Sequence, residues 1–390
     1  MTEAAFLSPE EADDLGRPWD ELSARAAEPN AFLSRWAAQA RLRHLPDRTG
    51  ARVLAAWRGE SRRLVGLMVL VRPRGRHFNP LPVLRAAELY APLSTPLLDA
   101  ERPAEIWAAM LAALAREGIG ALALPFLGAG GPVAAALREA AAGGFPLAVL
   151  GGHRRALLPG GCTGADYMRS TLERRRRREA DRQRRRLSDQ GSLDFAVARS
   201  PAEVAAALDG FLALEAAGWK GRAGTALAAA PGAAAYFREA AEAGARAGAF
   251  RVATLLLDGR PVAAGLVSIA GRRAFYVKTA YDEDLARYSP GLLLTLDLTA
   301  HLLDDPAIED ADSVADADHP MIDRLWTGRC AIESLLVGTR PEGGAAFRAA
   351  FAVEKARLSG RDAAKAALAA LKGLGGDRFT PPARPPRRSP

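Results

Sequence analysis

"YDEDLARYSPGLLLTLDLTAHLL", residues 281–303, places a Ser-Pro-Gly directly before a leucine-rich run of helical pattern. Ser289 is of the type that caps the free amides of a first turn. Pro290 has its φ pre-set for the first helical position, and Gly291 lets another group approach the backbone closely. A helix start of this kind is a natural seat for an anion. The same three residues also suit an ordinary helix start, and the flanking sequence has to decide between the two.

Upstream, "FRVATLLLDG" (250–259), "RPVAAGLVSIAG" (260–271) and "RRAFYVKTAYD" (272–282) read as three strands linked by turns at Asp258-Gly259 and Ala270-Gly271. Helices at 201–217 and 232–247 precede them. A strand near 308–315, a helix started by Pro320 and the strand "CAIESLLVG" (330–338) follow the leucine-rich helix.

The first half of the chain repeats this order. Helical sequence at 19–44, broken near Pro29, comes before the strands "ARVLAAWRG" (51–59) and "RRLVGLMVLVRPR" (62–74) and the possible strand "RAAELYA" (85–91). A helix at 103–117, "GALALPFL" (120–127), a helix at 132–142 and "FPLAVLGG" (145–152) complete the set. The expected fold is therefore α/β, two copies of one mixed unit in tandem, each a mostly antiparallel sheet flanked by helices. The first copy has no glycine at the start of its helix near 103, so only the second offers the anion seat.

Length and composition agree with two units, since 390 residues exceed what one hydrophobic core usually holds and 49% of them are apolar. No run of eighteen apolar residues occurs, and the acidic N-terminus "MTEAAFLSPEEADDLG" lacks the basic-then-apolar pattern of a leader. The expectation is a soluble, cytoplasmic protein without a transmembrane segment. Cys162 and Cys330 stand alone, with no CxxC and no paired histidine, so no structural zinc or other metal site is expected. The net charge of +8 suggests an anionic partner.

Three segments carry a family resemblance: "FLALEAAGWKGRAGTAL" (211–227), "VKTAYDEDLARYSPGLLL" (277–294) and "DHPMIDRLW" (318–326). They resemble the GNAT acyltransferases grouped around the cellulose-biosynthesis protein CelD, and the tandem order is similar to the FemAB-type transferases. The resemblance covers roughly 160–340. Where many relatives carry a Tyr-Lys pair this chain has Ile322 and Asp323. It implies a degenerate N-terminal GNAT-like domain at 1–160, an arginine-rich linking helix at 161–192, and a C-terminal GNAT domain at 193–350. A Pro/Arg tail at 373–390 reads as disordered.

The same resemblance implies acyl transfer from acetyl-CoA or another acyl-CoA to an N or O acceptor, in polysaccharide or envelope biosynthesis. The alternatives are a FemAB-like transferase that uses aminoacyl-tRNA, and a binding protein of GNAT fold without catalysis. Acyl transfer needs a group that takes the nucleophile's proton, a donor for the oxyanion and a seat for the coenzyme's pyrophosphate. For the first two the candidates are Lys278, Tyr281, Asp282 and Glu215. Alternation alone leaves Lys278 facing either solvent or the packed side of its strand, and the resemblance points to the site. For the seat they are Arg287, Tyr288, Ser289, Gly291 and Leu292.

Trp219, Lys220 and Arg222, in a Gly-rich loop, suit a sugar or an anionic acceptor or simply a packed turn. Asp316, Asp318 and Trp326 complete the candidate substrate residues. His319 reads equally as a cap neighbour or a base. The acidic cluster Asp312, Asp316, Asp318 is more than a central strand tolerates, so it lines a cleft or the strand is frayed. "RSTLERRRRREADRQRRRLSDQ" (169–190) forms a cationic rod with a thin apolar stripe. It could hold RNA or an anionic membrane surface, or serve as an interdomain helix paired with Glu173, Glu179 and Asp181.

Overall fold

The computed structural model describes residues 1–46, 50–74, 78–341 and 344–375. In the first half it forms β1 (Thr2–Leu7), α1 (Pro9–Asp13), α2 (Gly16–Arg25), α3 (Arg35–His44), β2 (Arg52–Arg58), β3 (Arg63–Val71), β4 (Val83–Ala86), β5 (Leu97–Leu98), α4 (Pro103–Arg116), β6 (Ala121–Gly128), α5 (Pro132–Ala142) and β7 (Leu147–Pro159). Two helices follow, α6 (Gly164–Thr171) and α7 (Arg174–Ser188). The second half forms β8 (Leu193–Ala198), α8 (Pro201–Ala217), α9 (Trp219–Arg222), α10 (Ala233–Arg246), β9 (Phe250–Leu257), β10 (Arg260–Ala270), β11 (Arg273–Tyr281), α11 (Pro290–Leu303), β12 (Asp310–Asp312), β13 (Gly328–Gly338) and α12 (Gly344–Gly375).

The strands make one continuous sheet in the order β1-β2-β3-β4-β6-β13-β7-β12-β11-β10-β9-β8, with β5 on β3. Each half opens with antiparallel neighbours and then has one short parallel pair. These pairs are β4 with β6, from Val83 opposite Ala121, and β11 with β12, from Arg273 opposite Asp310. The last strand of each half is given to the other half. β13 lies between β6 and β7, while β7 reaches from β13 to β12, where Leu157 pairs with Asp312. Strand pairing thus crosses the boundaries expected at 160 and 192.

Helices cover both faces. In the second half α11 and α6 pack on one face with Leu293, Leu298, Tyr167 and Trp326, and α8 and α10 pack on the other with Leu208, Phe211 and Phe237. A buried ion pair fixes the exchanged strand: Arg155 of β7 donates from NH2 to Asp312 Oδ2 of β12 at 2.5 Å, with side chains 1% and 2% exposed. The expected choice for the acidic cluster, a cleft or a frayed strand, therefore does not hold for Asp312, which is buried and neutralised. Asp316 and Asp318 are exposed beyond the strand's end.

Several expectations are corrected. The rod at 161–192 is two helices, because Leu172 is buried in the core at an extended φ/ψ of −82°, 122° and breaks the helical path. Pro320 starts only a 3-10 turn, Ile322–Arg324, capped by His319 Nδ1, which accepts from the amides of Met321 and Ile322 at 3.3 and 3.4 Å. Leu325 and Trp326 then turn into the core. The strand at 85–91 is formed only over Val83–Ala86. β1, β8 and α12 were not expected. Residues 373–375 close α12, and 376–390 of the expected tail lie outside the described residues.

Candidate functional site

Helix α8 begins with a reciprocal cap, in which the Ser200 hydroxyl accepts from the Glu203 amide and Glu203 accepts from the Ser200 amide. It ends at Gly218, and the chain folds back at once as α9. The return is so tight that a Cβ on Gly221 would lie 1.7 Å from the Ala216 carbonyl oxygen. The amides of Thr225 and Ala226 donate to the Lys220 carbonyl at 2.8 and 3.1 Å and close the loop.

Folded this way, the loop surrounds Glu215, whose side chain is 1% exposed. Its Oε2 accepts from the Leu227 amide at 2.8 Å. Its Oε1 accepts from Lys220 Nζ and lies 3.1 Å from Lys278 Nζ, the same distance as to Lys220. Burial alone would raise the Glu215 carboxyl, but the Leu227 amide and the two ammonium groups outweigh it and hold it below the usual carboxylate range. With both oxygens engaged, Glu215 is an anchor for two lysines rather than a free proton acceptor.

Lys278 reaches this carboxylate because β11 carries a bulge against β10. Tyr276 is opposite Val267 and Lys278 is opposite Leu266, so Val277 is the extra residue. Tyr276 accordingly faces α11, with its hydroxyl 3.2 Å from Thr295 Oγ1, and Lys278 faces α8. Burial lowers the pKa of Lys278, as does Lys220, and Glu215 opposes both.

The other half of the molecule adds Tyr90, which the sequence did not single out. Its ring centroid lies 5.7 Å from Lys278 Nζ. Tyr90 is held at φ 57°, rare for a bulky side chain. It stacks on Tyr236 at 6.2 Å and meets Phe237 edge-on at 5.5 Å. The loop that carries it is anchored further on by Asn30 Nδ2, which donates to the Thr95 carbonyl at 2.7 Å, and by Arg155 NH1, which donates to the Pro92 carbonyl at 2.7 Å. Its own end is tied to β6, where the Ser94 amide donates to the Phe126 carbonyl and Thr95 Oγ1 accepts from the Gly128 amide.

Beside Lys220 is a shallow cleft, open to solvent and lined by Glu215, Trp219, Lys220, Thr279, Tyr281 and Glu283 among others. Trp219 and Tyr281 are 57% and 38% exposed. At the rim Glu283 pairs with Arg222 and accepts from the Trp219 amide at 2.6 Å. Arg222 is thereby engaged away from the floor of the cleft. Tyr281 lines this cleft, whereas Asp282 accepts from the Asp284 amide at 3.0 Å and pairs with Arg260 at 3.3 Å.

The helix start at 289 departs from its expected form. Ser289 adopts φ 54°, ψ 49°, and its side chain makes no capping bond. The amides of Leu292 and Leu293 both donate to the Ser289 carbonyl, and Pro290 has none to give. Gly291 is buried, with the position of its missing Cβ 3.2 Å from the Tyr281 ring. The Ser289 amide donates to Ala286, the Leu285 amide to Asp282, and Tyr288 is buried while Arg287 packs over its ring at 4.8 Å. The amides of Asp284, Leu285, Ser289, Leu292 and Leu293 are thus engaged within the turn itself. The first half has a start of the same shape, with Arg102 at φ 54° before Pro103 and a helix of the same 14 residues.

Trp326, a candidate for substrate contact, is 0% exposed, and its Nε1 donates to Thr299 Oγ1 at 2.9 Å. Asp316 and Asp318 are exposed and line no part of the cleft at Glu215. On α7, Arg184 pairs with Asp297 of α11 at 2.6 Å, and Arg182 pairs with Glu179 at 2.5 Å. Arg174, Arg175, Arg178 and Arg185 are exposed and have no ion-pair partner among the described residues. Among the described residues no helix is long and apolar enough to cross a membrane, and no cluster of three metal-binding side chains occurs.

Comparison with known proteins places this geometry in a family context. Among curated proteins the sequence finds no match. The chain is similar to the C-terminal domain of a putative lysylphosphatidylglycerol synthetase from Agrobacterium fabrum, at 15% identity over 90% of this chain and 96% of that one, TM-score 0.56. It is similar to FemX at 13% identity over 86% and 96%, TM-score 0.55. A conserved protein of unknown function from Bacteroides thetaiotaomicron shares 10% identity over 87% and 100%, TM-score 0.52. At such identities these likenesses concern the fold. Residues 174–319, which include Glu215, Lys220, Lys278 and the start of α11, match the family described as the acetyltransferase (GNAT) domain.

Proposed function

We propose that the chain is an acyltransferase whose reaction takes place in the cleft over Glu215, and that Lys278 is its central catalytic group. The observation that carries this reading is the single buried carboxylate shared by two lysines at the end of β11, inside the segment that matches the GNAT domain. Attack of an amine or hydroxyl on an acyl carbonyl makes an oxyanion and releases a proton. Neutral Lys278, the form that burial favours, accepts the second, and the ammonium so formed steadies the first until the acyl carrier leaves and takes the proton. Glu215 keeps the lysine in place through both states.

Acceptors of the saccharide kind follow from the resemblance to the cellulose-biosynthesis group. For the acyl donor, the amides of Asp284, Leu285 and Ser289 in the turn at 282–289 are already engaged within it, and no step is assigned to coenzyme A. The exposed arginines of α7, which packs against that turn, favour a second reading, an acyl group carried on RNA.

The test is a transfer assay with amino sugars and amino acids as acceptors, run in parallel with acetyl-CoA and with aminoacyl-tRNA and read by mass spectrometry. Transfer from one donor that falls at least about 100-fold in Lys278→Met supports the reading, because loss of one oxyanion donor costs about 10² to 10³ in rate. Equal transfer by the variant overturns it.

A further inference from the structure

The outer face of α7 is built almost wholly of arginine. At about 3.6 residues per turn, Arg174, Arg175, Arg178, Arg182, Arg185 and Arg186 fall within about one third of the helix circumference, and all six are exposed. They form a stripe about 18 Å long. Ala180 and Leu187 lie opposite them in the core, and Glu179 and Asp181 stand at the two margins of the stripe. Of the six, only Arg182 has an ion-pair partner among the described residues, Glu179 of its own helix.

This arrangement works against the helix that carries it. Arg174 and Arg178, Arg178 and Arg182, and Arg182 and Arg186 are spaced i,i+4, where like charges repel. The first turn is Arg174–Arg177, with no acidic residue and no side-chain cap, so cations sit at the positive end of the helix dipole. Among the described residues no carboxylate of another element forms an ion pair with the six. An anionic partner outside the chain relieves both effects at once.

Shape selects the partner. Because α7 is packed along its inner side, it presents a convex stripe and cannot enter the deep, narrow major groove of A-form RNA. It has no aromatic residue to stack on unpaired bases, and its one amide side chain, Gln183, donates to Glu179 at 2.8 Å. The outer face carries no apolar residue to insert among acyl chains. What remains is a row of guanidiniums suited to phosphates that lie in a plane, and a helix with about four to eight clustered basic residues is attracted to an anionic headgroup layer.

We infer that α7 docks the protein on an anionic phospholipid surface, with the six arginines on the headgroup phosphates and the helix lying along the membrane without entering it. The turn at 283–288 packs on α7 and also gives Glu283 to the cleft, so docking brings the cleft to the boundary between lipid and water. The docking stands apart from the acyltransfer reading. Only its consequence, a substrate displayed at that boundary, rests on it.

The experiment sediments the full chain with vesicles of phosphatidylcholine alone and of phosphatidylcholine mixed with phosphatidylserine. The protein should pellet with the mixed vesicles only, and should be released at about 1 M salt, where the screening length falls to about 3 Å. Arg174→Gln/Arg178→Gln/Arg185→Gln should weaken the partition about a hundredfold, at about fivefold per arginine. Arg174→Lys/Arg178→Lys/Arg185→Lys should keep it, since a headgroup layer attracts the charge whichever group bears it. Failure to pellet with the mixed vesicles, or equal pelleting with both kinds, overturns the inference on the parent protein alone, whether or not the variants fold. An unchanged partition in the glutamine variant overturns it as well. A titration with duplex RNA runs beside it, and RNA binding by a protein that leaves the mixed vesicles untouched overturns the inference and gives the arginines to RNA. Docking without transfer from any donor removes the acyltransfer reading and keeps the docking, while transfer without docking does the reverse.

Discussion

Replacing Asp312 by Asn removes one charge from the pair that ties β7 to the second half, and keeps a side-chain oxygen for the Val314 amide, which Asp312 Oδ1 accepts at 2.9 Å. Arg155, 1% exposed, then has the Pro92 carbonyl as its remaining strong partner, and its Nε already lacks one. Breaking a buried pair on one side costs about 3 to 5 kcal/mol, and the low end applies here because the Pro92 bond survives. About 3 kcal/mol is roughly a hundredfold in the folded-to-unfolded ratio. Urea unfolding at neutral pH measures it as a lower midpoint with an unchanged slope. The double variant Arg155→Met with Asp312→Leu should recover most of the loss, since an apolar replacement of both partners leaves no buried charge. An Asp312→Asn protein within about 1 kcal/mol of the parent refutes the reasoning, and the exchanged strand is then held by its backbone ladder alone.

The same pair governs Cys330, whose thiol is pushed up to about 11 by burial and then by Asp312. At pH 8 a thiol reagent should modify the exposed Cys162 and leave Cys330 intact, as peptide mapping after labelling will show. Tyr90→Ala should uncover Lys278 and raise its pKa toward the ordinary 10.5, while Tyr90→Phe, which keeps the ring, should not; the pH dependence of Lys278 labelling by acetic anhydride reads this directly. Glu215 is held below its ordinary 4.5, so the unfolded chain binds more protons as pH falls through that value. The stability it contributes is present above about pH 4.5 and is lost as pH drops through its folded pKa. Glu215→Gln should therefore be less stable than the parent at pH 7 and show a flatter acid limb in a series of urea midpoints. A limb as steep as the parent's would place the acid-sensitive carboxylate elsewhere.

What could be read from the sequence, and what could not, divides along one physical line. Strands and helices whose periodicity is local, such as β9, β10 and α8, are where the pattern of apolar residues put them, and the tandem order follows from them. The Ser289 cap failed because a serine is a capping residue only at an extended φ/ψ, and Ser289 is left-handed; nothing in the three letters Ser-Pro-Gly distinguishes the two. Lys278 is a similar case. Simple alternation puts it on the face of Tyr276, and only the extra residue in β11, set by pairing with β10, turns it toward Glu215. Asp312 looked intolerable in a central strand because its partner, Arg155, is 157 residues away, on a strand lent by the other half. Tyr90 was invisible for the same reason: it lies in a first-half loop and acts on a second-half lysine. Ser289 and Lys278 escaped the sequence through local backbone geometry, while Arg155 and Tyr90 escaped it through contacts between the halves. The exchange of β7 and β13 joins those halves in one sheet, so it also holds Tyr90 and Lys278 at a fixed distance. A substitution that loosens Arg155 from Asp312 should accordingly disturb Lys278, although no bond connects the two pairs.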